Sequence, residues 1–178
     1  MTRVFAFCGK MGSGKSTACQ FIKEGIEREV GIIKFAEPLY DIQNSVYDIC
    51  GLKQPETKDR KLLQWIGTEW GREKDINLWT NIWKRGVKYY LEQSPTAIVL
   101  CDDLRFPNEL EALREFGGKV IKIESSIDER SKRINLEGSS HSTEAFTEGA
   151  NADFTIINNG HIVEFKTKLQ ELIWELDL

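Results

Sequence analysis

The chain has 178 residues, with 24 Lys plus Arg against 28 Asp plus Glu, a formal net charge of −4, two His, four Cys and 40% apolar residues. We expect one globular domain over 1–178, since chains of about 150 residues already bury roughly two-thirds of the surface they expose when unfolded. The acidic balance, with a pI near 5.4, speaks against a nucleic-acid binder, whose affinity comes from clustered Lys and Arg, whereas small phosphorylated ligands need only a few local cations.

Short apolar runs alternate with longer amphipathic ones, the pattern of a parallel sheet with helices on both faces. The first run, Val4–Cys8, is too short for a signal h-region or a membrane span. No stretch approaches eighteen apolar residues, so we expect a cytoplasmic protein with no membrane partner. The run leads into Gly9-Lys-Met-Gly-Ser-Gly14-Lys15-Ser16, which matches the P-loop pattern G-x-x-x-x-G-K-[ST]. Backbone amides encircle a phosphate only where no Cβ intervenes and φ can turn positive. Lys10, Gly12, Ser13 and Gly14 are therefore expected to cradle ATP and Lys15 to reach its β- and γ-phosphates. Ser16 would ligate Mg²⁺ and Thr17 would meet the α-phosphate, at the anion-favouring start of a helix.

A second strand is expected at Gly31–Phe35 and a third at Ala97–Cys101, with about sixty residues between them, far more than a crossover helix needs. This insertion, taken as 37–94, reads as helical: Ile42, Val46 and Ile49 keep helix spacing, as do Trp79, Ile82, Trp83, Val87 and Tyr90. Trp65, Glu69 and Arg72 fall on one helix face, which would offer an acceptor phosphate an indole and a planar guanidinium. Pairing of Arg72 with Glu69 or Glu73 is the structural alternative. Tyr40, Trp65 and Trp79 are candidates to stack on a base, although aromatics at helical spacing, Trp79 above all, are more often core.

The third strand runs into Asp102-Asp103, where a parallel strand delivers a carboxylate to Mg²⁺ or its waters. Alternation lets one of the two face the nucleotide; Asp103 is carried forward as the catalytic and metal carboxylate, with Asp102 as the alternative. Arg105, two residues on, is a candidate for both catalysis and acceptor binding. After a fourth strand at Val120–Ile123, a smaller insertion of about 125–146 opens with Ile127–Leu136. Its Arg130 and Arg133 lie on one side of a helix and would swing over the ATP phosphates as a lid; a charged exposed helix is the alternative. His141, in the polar segment that follows, would steady the lid or touch substrate. A fifth strand, Phe154–Ile157, precedes Asn158-Asn-Gly160, and an amphipathic helix with Ile162, Phe165, Leu169, Leu172, Ile173 and Leu176 closes the chain. The cysteines, at 8, 19, 50 and 101, lack C-x-x-C or His spacing and are expected to be buried free thiols.

A GTP-dependent switch would carry Asn-Lys-x-Asp, which is absent from the sequence, and a motor ATPase would be longer and more basic. A small-molecule kinase needs two excursions, one to hold the acceptor and one to close over the phosphates. Lys10-Met-Gly-Ser-Gly-Lys-Ser16, Phe35-Ala-Glu-Pro-Leu39, Gly67-Thr-Glu-Trp-Gly-Arg72, Asp103-Leu-Arg-Phe-Pro-Asn-Glu109, His141-Ser-Thr-Glu144 and Ala152-Asp…Asn158-Asn-Gly160, in that order, resemble the deoxynucleoside monophosphate kinases of bacteriophages. The resemblance implies an α/β, three-layer P-loop kinase fold with a five-stranded parallel sheet, a helical acceptor-binding insertion and a lid. It implies Mg²⁺-dependent transfer of the γ-phosphoryl group of ATP to a deoxynucleoside monophosphate. It also implies acceptor contact by Glu37, where the family usually shows Asp before Pro-Leu-Lys and this chain reads Glu37-Pro-Leu-Tyr40, and an adenine rim at Asn159 and Gly160. Dephospho-coenzyme A kinase and phosphomevalonate kinase share the architecture; a non-catalytic nucleotide sensor is the alternative outside enzymology. Small-molecule nucleotides are the expected partners, and exposed aromatics would serve a homodimer as readily as a base.

Overall fold

In the computed structural model, which describes residues 2–134, 149 and 151–178, five parallel strands form one sheet in the order β2-β3-β1-β4-β5. They are β1 (Val4–Cys8), β2 (Val30–Ile32), β3 (Ile98–Cys101), β4 (Lys119–Glu124) and β5 (Phe154–Ile157). All of β1 and β3 is buried, as parallel strands covered on both faces must be. Alternation divides β1 between two cores. Phe5 and Phe7 pack with Ala18, Cys19 and Ile22 of α1 (Lys15–Gly25) and with Phe165, Leu169, Leu172 and Ile173 of the closing helix α8 (Ile162–Leu176). Val4, Ala6 and Cys8 face Trp83 and Val87 of α5 (Leu78–Gln93) and Ala112 and Leu113 of α6 (Pro107–Glu115). The expected three layers are thus formed by helices on both faces of the sheet.

Strand order brings the chemistry together. Ala6 lies opposite Cys101, so the loop after β1 and the residues after Cys101 emerge side by side at the carboxyl edge, where α/β sheets bind ligands. The second strand ends earlier than expected, at Ile32; the Ile33 amide still donates to the Leu100 carbonyl, and the Phe35 amide turns away to Asp103.

The long insertion is helical, as expected. It comprises α2 (Glu37–Ile49), α3 (Arg60–Gln64), a π-helical turn (Trp65–Trp70), α4 (Gly71–Lys74) and α5. The π-helical turn corrects the shared face predicted for Trp65, Glu69 and Arg72, because i→i+5 pairing widens the turn and breaks the 3.6-residue register. Trp65 stands 51% exposed, whereas the Arg72 side chain is 10% exposed. Trp79 is core, not a base-stacking residue: it is buried and its indole N–H donates to the Gly67 carbonyl at 2.9 Å. Cys8, Cys19 and Cys101 are buried thiols, but Cys50, at the end of α2, is exposed. After β4 comes α7 (Ile127–Arg133); the rest of the expected lid, with His141, lies outside the described residues. No helix among the described residues is long and apolar enough to cross a membrane.

Trp83 anchors the second core, stacked on Phe35 at 4.4 Å, edge-on to Phe116 at 5.8 Å, with its N–H on the Ile33 carbonyl. Trp83→Ala should lower stability by about 3–5 kcal/mol in urea unfolding, through the cavity and the orphaned carbonyl.

Candidate active site

The loop between β1 and α1 has the conformation a phosphate cradle requires. Gly12 and Gly14 adopt φ of +78° and +110°, and a Cβ on Gly14 would lie 2.7 Å from the Asn158 amide nitrogen. Ser13 is fully buried and its hydroxyl has no hydrogen-bond partner among the described residues. Lys15 curls back so that Nζ donates to the carbonyls of Gly9 and Lys10, at 2.8 and 3.0 Å. Burial lowers its pKa to about 8, and the charge of Arg105 adds to that effect. Arg105 is exposed, and its charge is felt at Lys15.

The two carboxylates after β3 have separate tasks, and this corrects the choice of Asp103 as metal carboxylate. Asp103 is committed to backbone, accepting from the amides of Phe35 and Ala36 at 3.0 and 2.9 Å. Asp102 faces the P-loop: its Oδ2 accepts from the Ser16 hydroxyl at 2.5 Å and from Lys34 Nζ at 3.0 Å. Burial alone would raise its pKa, but those two hydrogen bonds and the Lys34 charge bring it below the usual value. Lys34 responds in kind: partial burial pulls its pKa down, and the hydrogen bond and charge of Asp102 carry it above normal. A serine hydroxyl and one carboxylate suit Mg²⁺, which keeps several waters and takes its remaining ligands from phosphate oxygens.

Arg72 is not an open fork awaiting an acceptor. Its Nη2 pairs with Glu109 Oε1 at 2.9 Å, Nη1 reaches Asn108 Oδ1 at 3.4 Å, and the guanidinium lies 3.7 Å over the Phe106 ring. The structural alternative of a pairing is thus realised, with Glu109 in place of Glu69 or Glu73. Glu37 opens α2 and is exposed. The Tyr40 hydroxyl accepts from Lys58 Nζ at 2.6 Å, with the ammonium 4.4 Å from the ring centroid. Lys58 also lines a surface hollow of about 560 Å³ with Thr57, Asp59, Arg60 and Lys61.

On the other flank, α7 lies against the P-loop. Arg130 is buried and donates to the Met11 carbonyl at 3.2 Å, and its Nε has no partner among the described residues. Arg133 donates to the Gly12 carbonyl at 3.3 Å and to the Asn158 carbonyl at 3.0 Å. The expected lid arginines therefore grip loop carbonyls from outside in this conformation. A cleft of about 110 Å³ opens beside them, lined by Gly14, Thr17, Arg133, Asn158, Gly160, Ile162 and Phe165. Asn159 holds the Ser126 amide, whereas Asn158, which the sequence offered only as the first residue of the Asn158-Asn-Gly160 segment, is buried and donates to the Ser13 carbonyl at 2.8 Å.

A sequence profile of the deoxynucleotide monophosphate kinase family matches residues 60–169, a stretch that includes Arg72, Asp102, Arg105, Glu109 and both α7 arginines. The chain belongs to that family. An Acanthamoeba polyphaga mimivirus protein described as "Putative deoxynucleotide monophosphate kinase" is 29% identical over 189 residues, covering 90% of this chain and 91% of the relative. Among solved structures, dephospho-CoA kinase from Campylobacter jejuni superposes with a TM-score of 0.55 at 21% identity, covering 99% of this chain and 98% of that one. Shikimate kinase from Acinetobacter baumannii gives 0.54 at 16% identity, covering 100% and 96%. At those identities the likeness is one of fold. The protein is a nucleotide kinase of the P-loop type, with the α/β architecture expected from its sequence.

The separate tasks of Asp102 and Asp103 are measurable in the kinase. Asp102→Asn should lower kcat by about a hundredfold or more with the melting temperature nearly unchanged. Asp103→Ala should instead cost about 1–3 kcal/mol of stability, because two amides lose their acceptor. Glu109 gives a pH signature. Burial raises its pKa from 4.5 to about 7, against the pull of the Arg105 amide and the Arg72 guanidinium. A carboxyl with a higher pKa folded than unfolded contributes stability at low pH that is lost as pH rises through the folded value. Unfolding free energies at pH 5 and pH 8 should therefore show the wild type losing up to about 3 kcal/mol relative to Glu109→Gln.

Proposed function

We propose that the kinase transfers the γ-phosphoryl group of ATP to a deoxynucleoside monophosphate by in-line displacement. An acceptor phosphate oxygen forms the new bond to γ-phosphorus, the bond from γ-phosphorus to the β–γ bridging oxygen breaks, and ADP leaves with that electron pair. The convergence of Lys15, Arg105 and the Ser16–Asp102 pair at one end of β1 and β3 carries this reading, and family membership supports the choice of acceptor.

Lys15 turns from its carbonyls to the β- and γ-phosphates, and the loop amides with the Ser13 hydroxyl enclose the β-phosphate. Arg105 stands between donor and acceptor phosphates, where charge accumulates during transfer. Ser16 and Asp102 would hold Mg²⁺, which when bound neutralises charge across the β- and γ-phosphates. Arg133 and the cleft at Asn158 and Gly160 receive the adenosine end, with Thr17 at the α-phosphate. Residues 37–94 form the acceptor side, with Glu37 and Tyr40 toward the nucleoside and Trp65 exposed as a stacking surface; residues 125–146 form the lid. No strong general base is needed, because an acceptor phosphate with a second pKa of about 6 is already a nucleophile at neutral pH.

Purified protein incubated with Mg·ATP and a panel of deoxynucleoside and ribonucleoside monophosphates, dephospho-coenzyme A and phosphomevalonate should release ADP with deoxynucleoside monophosphates. Turnover of dephospho-coenzyme A or phosphomevalonate alone would replace this reading. ATP binding without turnover of any acceptor would make the protein a sensor. Lys15→Ala should remove turnover while leaving the circular dichroism spectrum intact; unchanged turnover in that folded variant refutes the assignment of the P-loop.

A further inference from the structure

Arg72 and Glu109 are 10% and 4% exposed and join two segments that sequence keeps 37 residues apart. Arg72 belongs to α4, in the insertion between β2 and β3; Glu109 belongs to α6, which follows the Asp102–Phe106 turn. Glu109 divides its two oxygens. Oε2 accepts from the amides of Arg105 and Phe106, at 2.7 and 3.1 Å, while Oε1 takes the Arg72 guanidinium at 2.9 Å. The backbone from which Arg105 projects is therefore fixed by a carboxylate that is itself fixed by the insertion. Two further contacts reinforce the link. Arg72 stacks on Phe106, and Asn108 both accepts from Arg72 and donates to the carbonyl of Ile76 and the side chain of Asn77, just beyond α4.

A buried ion pair is a poor device for stability, because desolvating two charges offsets most of their attraction and well-packed apolar residues do as well. What it provides is a fixed direction: a planar fork, two amides and a ring face meet one carboxylate in a single arrangement. We propose that Glu109 and Arg72 are positioning residues that couple the seating of the acceptor-side insertion to the aim of Arg105 at the phosphates. The coupling rests on the kinase reading only for the role of Arg105. Neither Arg72 nor Glu109 needs to touch substrate.

The test is a mutant cycle in the full-length protein, read by steady-state kinetics with thermal melting alongside. Glu109→Gln keeps the size and an oxygen acceptor but removes the charge; Arg72→Lys keeps the charge but removes the fork and the stack. Each should reduce kcat/KM for the acceptor by roughly tenfold or more, with the KM for ATP moving by less than about threefold. In an Arg105→Ala background, Glu109→Gln should cost less than about twofold more, since its effect runs through a side chain already removed. Losses that multiply across the two sites would assign Glu109 a merely structural role and overturn the proposal. A second measurement needs no acceptor: in the ligand-free protein, Arg72→Lys should speed hydrogen exchange at the Arg105 and Phe106 amides by about tenfold, with the β1 amides unchanged. Unaltered protection at those two amides refutes the coupling. Absence of wild-type turnover on every acceptor would instead refute the kinase reading, and exchange would still decide the coupling.

Discussion

Two neighbouring carboxylates at the end of β3 hold the carboxyl edge together by facing opposite ways. Asp103 takes the amides of Phe35 and Ala36, a few residues beyond β2, and so fixes where α2 begins and where Glu37 stands. Asp102 takes Ser16, the second residue of α1, and Lys34 from the end of β2. Strand alternation makes the division unavoidable, because adjacent residues leave a strand on opposite faces. The ends of β1, β2 and β3 are therefore tied at one place, which is also where a phosphate chain must lie. The contact to the first turn of α1 and the contacts that set the start of α2 come from consecutive residues.

Around that point the protein reconciles an acidic whole with a cationic site. Lys15 rests on the carbonyls of Gly9 and Lys10, Lys34 on Asp102, Arg130 on the carbonyl of Met11, and Arg133 on those of Gly12 and Asn158. Lys15, Arg130 and Arg133 are held by carbonyls within the P-loop or beside it, and Lys34 by an ion pair with Asp102. In the proposed reaction a triphosphate would take the place of those carbonyls, and fixed dipoles and charges of this kind accelerate phosphoryl transfer. A net charge of −4 coexists with this because the acids lie elsewhere on the surface or are spent as clamps.

Much of this was legible in the sequence. Five apolar runs marked the strands, with Val4–Cys8 and Phe154–Ile157 at the bounds observed; Val4–Cys8 is buried on both faces, and such a strand needs no partner information to be recognised. The P-loop was legible because its glycines answer a local steric demand. What escaped depends on tertiary contacts. Nothing in Asp102-Asp103 says which residue faces Ser16, since that follows from where β2 ends. Lys34 carried one faint signal, a lysine at the end of an apolar run. Asn158 was passed over for Asn159 because the turn preference of Asn-Asn-Gly hides that the first asparagine continues the sheet, its amide donating to the Glu124 carbonyl. Arg72 was read on a helix of regular period, and Glu109 lies 37 residues away from it.

The π-helical turn at Trp65–Trp70 bears on how this family can change. It alters the rotation of the chain by about one residue's worth, some 100° on an α-helix, within a segment that otherwise reads as continuous helix. Trp65 before it and Arg72 after it are thereby aimed in different directions, one outward and one into the contact with α6. Substitutions on the outer side can change the surroundings of Trp65 without disturbing the buried pair. The loss or gain of a single residue in the turn would rotate Arg72 off Glu109 while leaving every side chain chemically intact. A change of length in this stretch would therefore disturb the contact with α6 more than a change of an outward-facing side chain.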